Sequence, residues 1–370
     1  MKIMVVVGTR PEIIRLSAVI KKLEQFHQVI LVHTGQNYDY NLNEVFFQDL
    51  ELRAPDYHLE VKNETAGQAV GEIIAKSYTL MSKEQPDALL ILGDTNSCLS
   101  AYSAKRLKIP VFHMEAGNRC FDFNVPEEIN RRVVDHVSDI NLTYSENARN
   151  YLIAEGKKDD TVYVTGSPMT EVLAQFETKI KASNICERLK IKKGQYFVVS
   201  LHREENLDVK DNFKTVCAAI NTVAEKYQLP IIFSTHPRTR KKIDKEHIKF
   251  GPLVQNLEPL GFLDYNALQL NAFCVLSDSG TITEESSIMH FPAVSVRNSQ
   301  ERPEGLDAGT IILSGINSAD LISAIEIATK THDTAKQQTV SDYTATNVSD
   351  KILRLITSYT NIVNQRTWKK

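Results

Sequence analysis

Short runs of apolar residues recur along the chain, and each is followed by a polar turn and a segment with helical spacing. The clearest run is Ala88 to Leu92, a continuous apolar stretch typical of an interior parallel strand. After Pro11, apolar residues recur three and four positions apart, which predicts a helix to about Phe26 with a buried stripe of Ile13, Leu16, Val19, Ile20 and Leu23. Strands are expected near 3–7, 29–33, 88–92, 109–113, 139–143, 161–165, 196–200, 230–234, 272–276 and 310–313. Their alternation with helices predicts an α/β protein with parallel sheets.

Two such series follow one another, separated by the lysine-rich helical stretch 171–194. At 370 residues the chain exceeds the size at which one core stops growing. We therefore expect a Rossmann-like domain at 1–170, a second at 171–345, and a C-terminal helix at 346–370 that packs back on the first. Polar residues end the strands of both series, so we expect the sheets to face one another across a ligand crevice.

Composition excludes several classes of function. With 42% hydrophobic residues, 24% charged residues and a net charge of −3, the chain lacks the signature of disorder, nucleic-acid binding or a membrane surface. No apolar run reaches about 18 residues, and the stretch before Gly8 is too short for a signal peptide, so a cytoplasmic location is expected. Five cysteines without a CxxC pair predict reduced thiols, and the absence of HxH or HExxH spacing predicts no metal.

The stretch 277–310 has the composition of a nucleotide site. Ser277 to Thr281 follow a predicted strand and offer helix N-caps and a glycine, and the N-terminus of a helix favours a phosphate. Glu284 and Glu285, one turn later, could accept hydrogen bonds from a ribose diol. An ordinary capped helix with solvated glutamates explains the same residues equally well.

Other strand ends carry charged residues. The turn Gly8 to Glu12 reads GTRPE, not GxGxxG, which disfavours a dinucleotide there, and Arg10 is either an anion ligand or a surface arginine. Asp94 and Glu115 also follow strands, where each is either a reacting acid or a cap or ion-pair partner.

Several motifs, in one order, carry a resemblance to a known family: GTRPE (8–12), GDT (93–95), HMEAG (113–117), PEEINR (126–131), HREEN (202–206), HP (236–237), SDSGTITEES (277–286) and ERPEG (301–305). The chain resembles the non-hydrolysing UDP-N-acetylglucosamine 2-epimerases. The resemblance implies a GT-B fold, a homodimer, no cofactor and a UDP-sugar bound in the interdomain cleft. The reaction would be loss of UDP from C1 with removal of the C2 proton, followed by reprotonation on the opposite face and re-addition of UDP.

The resemblance also assigns residues. The catalytic set would be Asp94, Glu115, Glu127 and His202, and sequence alone leaves open which acid serves which face of C2. Ser279 and Gly280 would hold the diphosphate, Glu285 the ribose, and Arg10 would reach the phosphates from the other domain. The remaining ligand-binding positions would be Arg15, Arg131, His236 and Arg302.

Departures from the family pattern point to a branch. Arg15 replaces a lysine, and HREEN and SGTITEE differ from the family's HRREN and SGGIQEE. These changes resemble the enzymes that convert UDP-2-acetamido-2,6-dideoxy-L-talose to UDP-N-acetyl-L-fucosamine for capsule or O-antigen synthesis. Phe121 and Phe123 would then either form an apolar wall for the 6-methyl group or pack in the core. The segment TGQNYDYN (34–41) leaves activation by a second nucleotide sugar open.

Three other functions stay in view. The first is a UDP-N-acetylglucosamine 2-epimerase that makes UDP-N-acetylmannosamine. The second is a GT-B glycosyltransferase, which would need an acceptor subsite, and the third a non-catalytic nucleotide-sugar sensor. Asp94, Glu115 and Glu127 argue against the last two, because neither needs acids around C2.

Overall fold

The structure is a computed structural model that describes residues 1–35, 40–62, 65–207, 209, 211–335 and 338–370. The side chains of 40–44, 204 and 205 are outside the description.

Thirteen strands run along these ranges: β1 (Lys2–Val7), β2 (Gln28–His33), β3 (Tyr57–His58), β4 (Ala88–Leu92), β5 (Val111–Met114), β6 (Ile140–Thr143), β7 (Val162–Val164), β8 (Phe197–Ser200), β9 (Ile231–Ser234), β10 (Val254–Leu257), β11 (Cys274–Ser277), β12 (Ala293–Ser295) and β13 (Ile312–Leu313).

The helices of the same ranges are α1 (Arg10–Glu24), α2 (Tyr40–Asp49), α3 (Ala66–Glu84), α4 (Ser100–Arg106), α5 (Pro126–Val137), α6 (Glu146–Ala154), α7 (Met169–Lys181), α8 (Ile185–Arg188), α9 (Glu204–Leu207), α10 (Asn212–Tyr227), α11 (Pro237–Lys245), α12 (Phe262–Leu270), α13 (Thr281–Met289), α14 (Glu304–Asp307), α15 (Ser318–Lys330), α16 (His332–Ala335) and α17 (Val348–Val363). Short 3₁₀ turns cover Asn96–Leu99, Asp159–Thr161 and Ser341–Tyr343, and a π-helical turn covers Asn364–Trp368.

The chain divides into two compact units. Unit 1 comprises Met1–Ala174 and Thr344–Lys370, and unit 2 comprises Gln175–Tyr343. The break in the chain falls inside α7, whose first residues belong to unit 1 and whose last residues belong to unit 2.

Unit 1 is built on a parallel sheet in the order β3-β2-β1-β4-β5-β6-β7. Strands β1 and β4 are apolar along nearly their whole length and almost fully buried, because helices cover both faces of a parallel sheet. The strand order reverses between β1 and β4, so their carboxyl ends diverge into loops on opposite faces. Ligands of open α/β sheets bind at such a point.

The last helix returns to unit 1. Helix α17 packs against α1 with buried Val348, Ile352 and Ile356, and Lys22 of α1 forms an ion pair with Asp350 at 3.1 Å. The chain therefore completes its first unit only with its final residues.

Unit 2 has a parallel sheet in the order β10-β9-β8-β11-β12-β13. Its core joins β8, β9 and β11 to α10 and α15 through residues such as Phe197, Phe233 and Val216. The order reverses between β8 and β11, which places the loop after each of these strands at the switch point of this sheet.

The two parallel sheets of Rossmann-like type confirm the α/β prediction. The strands expected from the sequence do not include three that the structure has, β3, β10 and β12. All five cysteines are free thiols. Over the described ranges, no helix combines the length and the apolar character needed to cross a membrane.

Candidate functional site

Unit 1 gathers its charged strand-end residues at the carboxyl edge of its sheet. Asp94 follows β4 and is one-quarter exposed. Its Oδ2 accepts from Arg131 Nε at 2.8 Å and lies 2.7 Å from Arg131 Nη2 in the same ion pair. Asn130 Nδ2 donates to the Asp94 carbonyl at 2.8 Å. Helix α5 thus holds both the side chain and the backbone of Asp94, and the ion pair favours the ionised carboxylate.

Glu115 follows the neighbouring strand β5 and is paired with a different arginine. Arg15 Nη1 lies 2.6 Å from Glu115 Oε2, and both side chains are buried. Glu115 also adopts a left-handed backbone conformation with φ of +61°, which costs a non-glycine residue about 1 kcal/mol or more. The pair explains why Arg15, outside the apolar stripe of α1, is nevertheless buried.

The two acids at the start of α5 have separate environments. Glu128 is fully buried and accepts from the Cys120 amide, from Arg131 Nη1 and from Arg132 Nε, each at 3.1 Å. Glu127 is half-buried and shares a helix face with Arg131, four residues on. Of this pair, Glu128 is committed to holding arginines, whereas Glu127 lies on the face that holds Asp94.

A buried polar group supports the loop that carries Glu115. The His113 ring lies 2.8 Å from both Asp135 Oδ1 and the Gly93 carbonyl, and Arg119 Nη1 donates to Asp135 Oδ2 at 2.7 Å. Burial alone would raise the pKa of Asp135, but His113 and Arg119 hold it below its ordinary value. His113 therefore holds the ends of β4 and β5 together.

Gly117 explains how closely this loop can pack. Its φ is +82°, and a Cβ there would lie 2.3 Å from the Ala148 carbonyl oxygen of α6. Only glycine fits both conditions.

Glu12 connects the loop after β1 to the loop after β4. It is buried in the first turn of α1 and accepts from the Gly8 amide at 2.5 Å and, across to the loop after β4, from the hydroxyls of Thr95 and of Ser97, the latter at 2.9 Å. Burial raises the pKa of Glu12 to about 7, although hydrogen bonds from Thr95, Gly8 and Ser97 lower it.

Unit 2 has its own cluster at the switch point between β8 and β11. Asp278 is fully buried and accepts from the backbone amides of His202 and Arg203 at 3.0 Å and from Asn206 Nδ2 at 3.1 Å. His202 Nδ1 lies 3.2 Å from Asp278 Oδ1. Burial would raise the pKa of Asp278, but His202 and these donors hold it below its ordinary value.

His202 is consequently held from one side. Its side chain is 38% exposed, and with Nδ1 on Asp278 the Nε2 atom is the ring nitrogen left for a ligand. His236 lies close by, with the two ring centroids 6.5 Å apart, and its Nδ1 accepts from the Arg238 amide at 3.3 Å to cap α11.

The start of α13 differs from the expected cap. Gly280 is the N-cap residue and Ser279 Oγ accepts from the Thr281 amide at 3.3 Å, while Asp278 turns away to the loop after β8. A Cβ at Gly280 would lie 2.1 Å from Arg302 Nη1 and 2.2 Å from Glu301 Oε1. Glycine here lets the backbone lie directly against a buried arginine.

Arg302 is fixed by acids. Its Nη2 lies 3.1 Å from Glu284 Oε1 and its Nη1 lies 3.3 Å from Glu301 Oε1. Glu301 in turn is paired with Arg297 at 2.7 Å and with Arg203 at 2.9 Å. Glu284 is therefore an internal ion-pair partner and not a solvated glutamate.

Glu285, the next residue, has a different partner. Gln269 Nε2 of the buried α12 donates to Glu285 Oε2 at 2.7 Å, and Glu285 remains 9% exposed. The amide orients one carboxylate oxygen, which suits a residue that recognises a diol.

Three further residues named in the sequence analysis, Arg10, Phe121 and Phe123, are half-buried or exposed. The Arg10 guanidinium is half-buried and sits 5.5 Å from the Phe46 ring centroid. Phe121 and Phe123 are 59% and 64% exposed, with the Arg132 guanidinium 5.8 and 5.3 Å from their ring centroids, so core packing was the wrong alternative for them. Residues 36–39 of TGQNYDYN lie outside the described ranges, as do the side chains of Glu204 and Glu205.

The sequence patterns do not indicate Glu12, Asp278 and Gln269 as members of these clusters. Asp278 directly follows β11, a position that favours a site residue, but the same position also suits a helix N-cap, which is the role that the sequence predicts for it. Gln269 has no local signal, since it lies inside α12, a different helix from that of its partner Glu285. Among the residues that the structure describes, no three His, Cys, Asp or Glu side chains are arranged to hold a metal ion.

Comparison with known proteins bears on both clusters. Residues 20–357 match the family model described as UDP-N-acetylglucosamine 2-epimerase. The solved UDP-N-acetylglucosamine 2-epimerase of Rickettsia bellii is 48% identical over the whole of both chains, with a TM-score of 0.92. That of Methanocaldococcus jannaschii, solved in complex with UDP-GlcNAc and UDP, is 35% identical over 96% of this chain and 99% of its own, with a TM-score of 0.91. The UDP-2,3-diacetamido-2,3-dideoxy-D-glucuronate 2-epimerase of Pseudomonas aeruginosa is 35% identical over 85% of this chain and 88% of its own.

Proposed function

Because the chain belongs to the UDP-N-acetylglucosamine 2-epimerase family and is a UDP-sugar 2-epimerase, we propose that it inverts C2 of a UDP-2-acetamido sugar by eliminating UDP and adding it back. The observation that carries this mechanism is the pair of acids, Asp94 and Glu115, each ion-paired with its own arginine at one sheet edge. Proton removal from C2 needs a carboxylate that is ionised at neutral pH, and a facing arginine favours that state.

Three acids provide for both faces of C2. One carboxylate among Asp94, Glu115 and Glu127 takes the C2 proton while the C1–O bond breaks and its electrons leave with UDP. A second acid delivers a proton to the opposite face of the resulting glycal as a diphosphate oxygen attacks C1. The atoms balance without any oxidant, so the reaction needs no redox cofactor.

The UDP group belongs to the residues of unit 2. Ser279 and Gly280 hold the diphosphate at the start of α13, where the helix dipole and amides favour an anion. Arg302, braced by Glu284 and Glu301, supports the same backbone. Glu285 binds the ribose, and His202, held by Asp278, donates from Nε2 as charge develops on the departing diphosphate.

The remaining binding roles follow the same resemblance. Arg10 and His236 complete the phosphate contacts, and Arg15 and Arg131 hold the acids that act on the sugar. The homodimer, the role in capsule or O-antigen synthesis and the cytoplasmic location belong to this proposal as well.

For the sugar we propose UDP-2-acetamido-2,6-dideoxy-L-talose. Its support is the set of departures around the site, above all Arg15, which gives Glu115 a planar partner where the family has lysine. The exposed rings of Phe121 and Phe123 are available to meet a 6-methyl group. The second candidate is UDP-N-acetylglucosamine, which the names of the Rickettsia and Methanocaldococcus relatives favour.

Incubation of the enzyme with each nucleotide sugar in D₂O tests the proposal. We expect loss of the C2 proton signal by ¹H NMR in the epimerised product, and a kcat/KM for the talose nucleotide at least about tenfold above that for UDP-N-acetylglucosamine. Product formed without deuterium at C2 would refute the mechanism, and a reversed ratio would refute the sugar alone.

Amide variants refine this experiment. Asp94→Asn, Glu115→Gln and Glu127→Gln should each lower kcat by about 10²-fold or more with UDP binding kept, because the amide preserves shape but not proton transfer. The matched control is Glu146→Gln, an exposed acid in the first turn of α6, which should leave kcat unchanged. Normal turnover in all three site variants would show that the reacting acids lie elsewhere.

A further inference from the structure

Glu12 lies where the two central strands of unit 1 diverge. The loop after β1 carries Gly8 and Thr9, and the loop after β4 carries Asp94, Thr95 and Ser97. These strands are neighbours at the switch point of the sheet. Glu12 hydrogen-bonds to both loops from one fully buried carboxyl group.

Helix capping accounts for only half of these bonds. Glu12 is the third residue of α1, and its bonds to the Gly8 amide at 2.5 Å and the Thr9 hydroxyl at 3.3 Å are those of a carboxylate that closes the helix start. A cap does not require the Thr95 hydroxyl, nor Ser97 Oγ at 2.9 Å and 3.0 Å from the two carboxyl oxygens. Those bonds reach the other loop, which lies more than 80 residues away in the chain.

The bonds that Thr95 and Ser97 donate to Glu12 hold the loop that carries Asp94. Thr95 directly follows Asp94, and Thr95 and Ser97 are further joined to each other at 2.9 Å. On the other side, α1 carries Arg15 one turn after Glu12, and Arg15 holds Glu115. A single carboxyl group therefore sets the distance between the loop of Asp94 and the helix that positions Glu115.

We propose that Glu12 is a positioning residue for the 2-epimerase reaction: it locks the Asp94 loop to the start of α1 and thereby sets the spacing of the two arginine-paired acids. This inference rests on the proposed function for the identity of the reacting acids. Glu12 itself is 2% exposed, and its hydrogen-bond partners are groups of the protein.

The hydroxyl partners suit either protonation state of Glu12. Thr9, Thr95 and Ser97 can each donate or accept, whereas the Gly8 amide only donates. Burial raises the pKa of Glu12 to about 7, so both forms are populated near neutral pH. A glutamine at this position has one oxygen for the Gly8 amide and an NH₂ group for the hydroxyls, so it can keep the lock.

The test compares three variants with the wild type. Glu12→Ala removes the lock, and Thr95→Val combined with Ser97→Ala cuts only the crossing bonds while leaving the helix cap. Both should lower kcat by about tenfold or more with KM changed by less than about threefold, because small displacements of a reacting group lower the chemical step more than binding. Glu12→Gln should restore kcat to within about threefold of wild type, and Glu146→Gln is again the matched control.

Hydrogen exchange supplies a readout that does not depend on turnover. In Glu12→Ala and in the Thr95→Val, Ser97→Ala variant, amides of residues 93–99 should exchange faster, while those of β1 and β4 keep their protection. If wild-type enzyme epimerises neither nucleotide sugar, the proposed function fails and this exchange result alone decides whether the lock exists. Turnover of the doubly substituted variant within twofold of wild type, or unchanged exchange at 93–99, would overturn the role of Glu12.

Discussion

Neighbouring acids in this protein have opposite roles, and the difference lies in which way each side chain points. Glu128 and Glu284 are fully buried and hold arginines, whereas Glu127 and Glu285, next to them in sequence, keep part of their surface exposed. Consecutive helix residues point about 100° apart, so the two acids of each pair meet different partners. The motifs PEEINR and TEES thus each contain one internal brace and one candidate ligand contact.

Asp278 gives a prediction at the same scale. Its carboxylate fixes His202 through Nδ1 and the backbone amide of the same residue, so the ring presents Nε2. Asp278→Asn should lower kcat by about 10²-fold, since a neutral amide cannot stabilise a protonated ring and its NH₂ group would face the backbone amides of His202 and Arg203. UDP affinity, measured by calorimetry, should change far less than kcat.

Asp244→Asn, at an exposed position of α11, is the control for Asp278→Asn and should behave as wild type. An Asp278→Asn enzyme with normal kcat would mean that His202 takes no part in the chemistry.

The residues that sequence could identify are those that follow strands. Asp94 and Glu115 come after strands of the first sheet and His202 after a strand of the second, and the carboxyl ends of the strands in a parallel sheet lie at one edge of that sheet. Glu12 and Gln269 sit inside helices. Glu12 reaches Thr95 83 residues away, and Gln269 reaches Glu285 16 residues later in another helix, so no local pattern marks these contacts. Even the strained φ of Glu115 has no signature in a sequence that offers glycine two residues later.

At the scale of elements, the apolar runs predicted the central strands well and the edges poorly. Strand β4 has the predicted bounds, because a continuous apolar run leaves little choice. Strands β3 and β10 lie at sheet edges and carry half-buried or exposed residues, so their pairing is decided by the neighbouring strand and not by their own hydrophobicity.

Helix α17 offers a test of packing at this scale. Ile356 is fully buried on the face that packs against α1, the helix that also carries Glu12 and Arg15. Ile356→Ala should lower the free energy of unfolding by about 2–5 kcal/mol through lost burial and the remaining cavity. The loss should appear in the urea dependence of β1 amide exchange, which reports on unit 1.

Arg354→Ala, at an exposed position of the same helix, should shift that free energy by less than about 0.5 kcal/mol. Equal effects of the two substitutions would show that α17 is not part of the core of unit 1.

At the scale of the whole molecule, the two units differ in whether they are formed by one segment of the chain or by two. Unit 2 is one continuous segment, Gln175–Tyr343, whereas unit 1 needs the returning residues Thr344–Lys370. Without α17, α1 would expose the surface that covers Ile352 and Ile356. The two units should therefore differ in whether a simple stretch of chain can fold alone.

We expect the fragment 175–343 to fold cooperatively, because it contains a complete parallel sheet and its own core. Phe176, near its start, packs edge-on against Phe262 at 5.9 Å between ring centroids, so the retained part of α7 keeps its contact. If unit 2 holds the UDP group as proposed, this fragment should bind UDP in a calorimetric titration, and Glu285→Ala should weaken that binding by about 1.5–3 kcal/mol, the contribution of charge-assisted hydrogen bonds.

The fragment 1–174 should aggregate or unfold unless residues 344–370 are joined to it by a flexible linker, because only then is α1 covered. A folded 175–343 fragment that fails to bind UDP would place the nucleotide outside unit 2, and a stable 1–174 fragment would show that α17 is dispensable for unit 1.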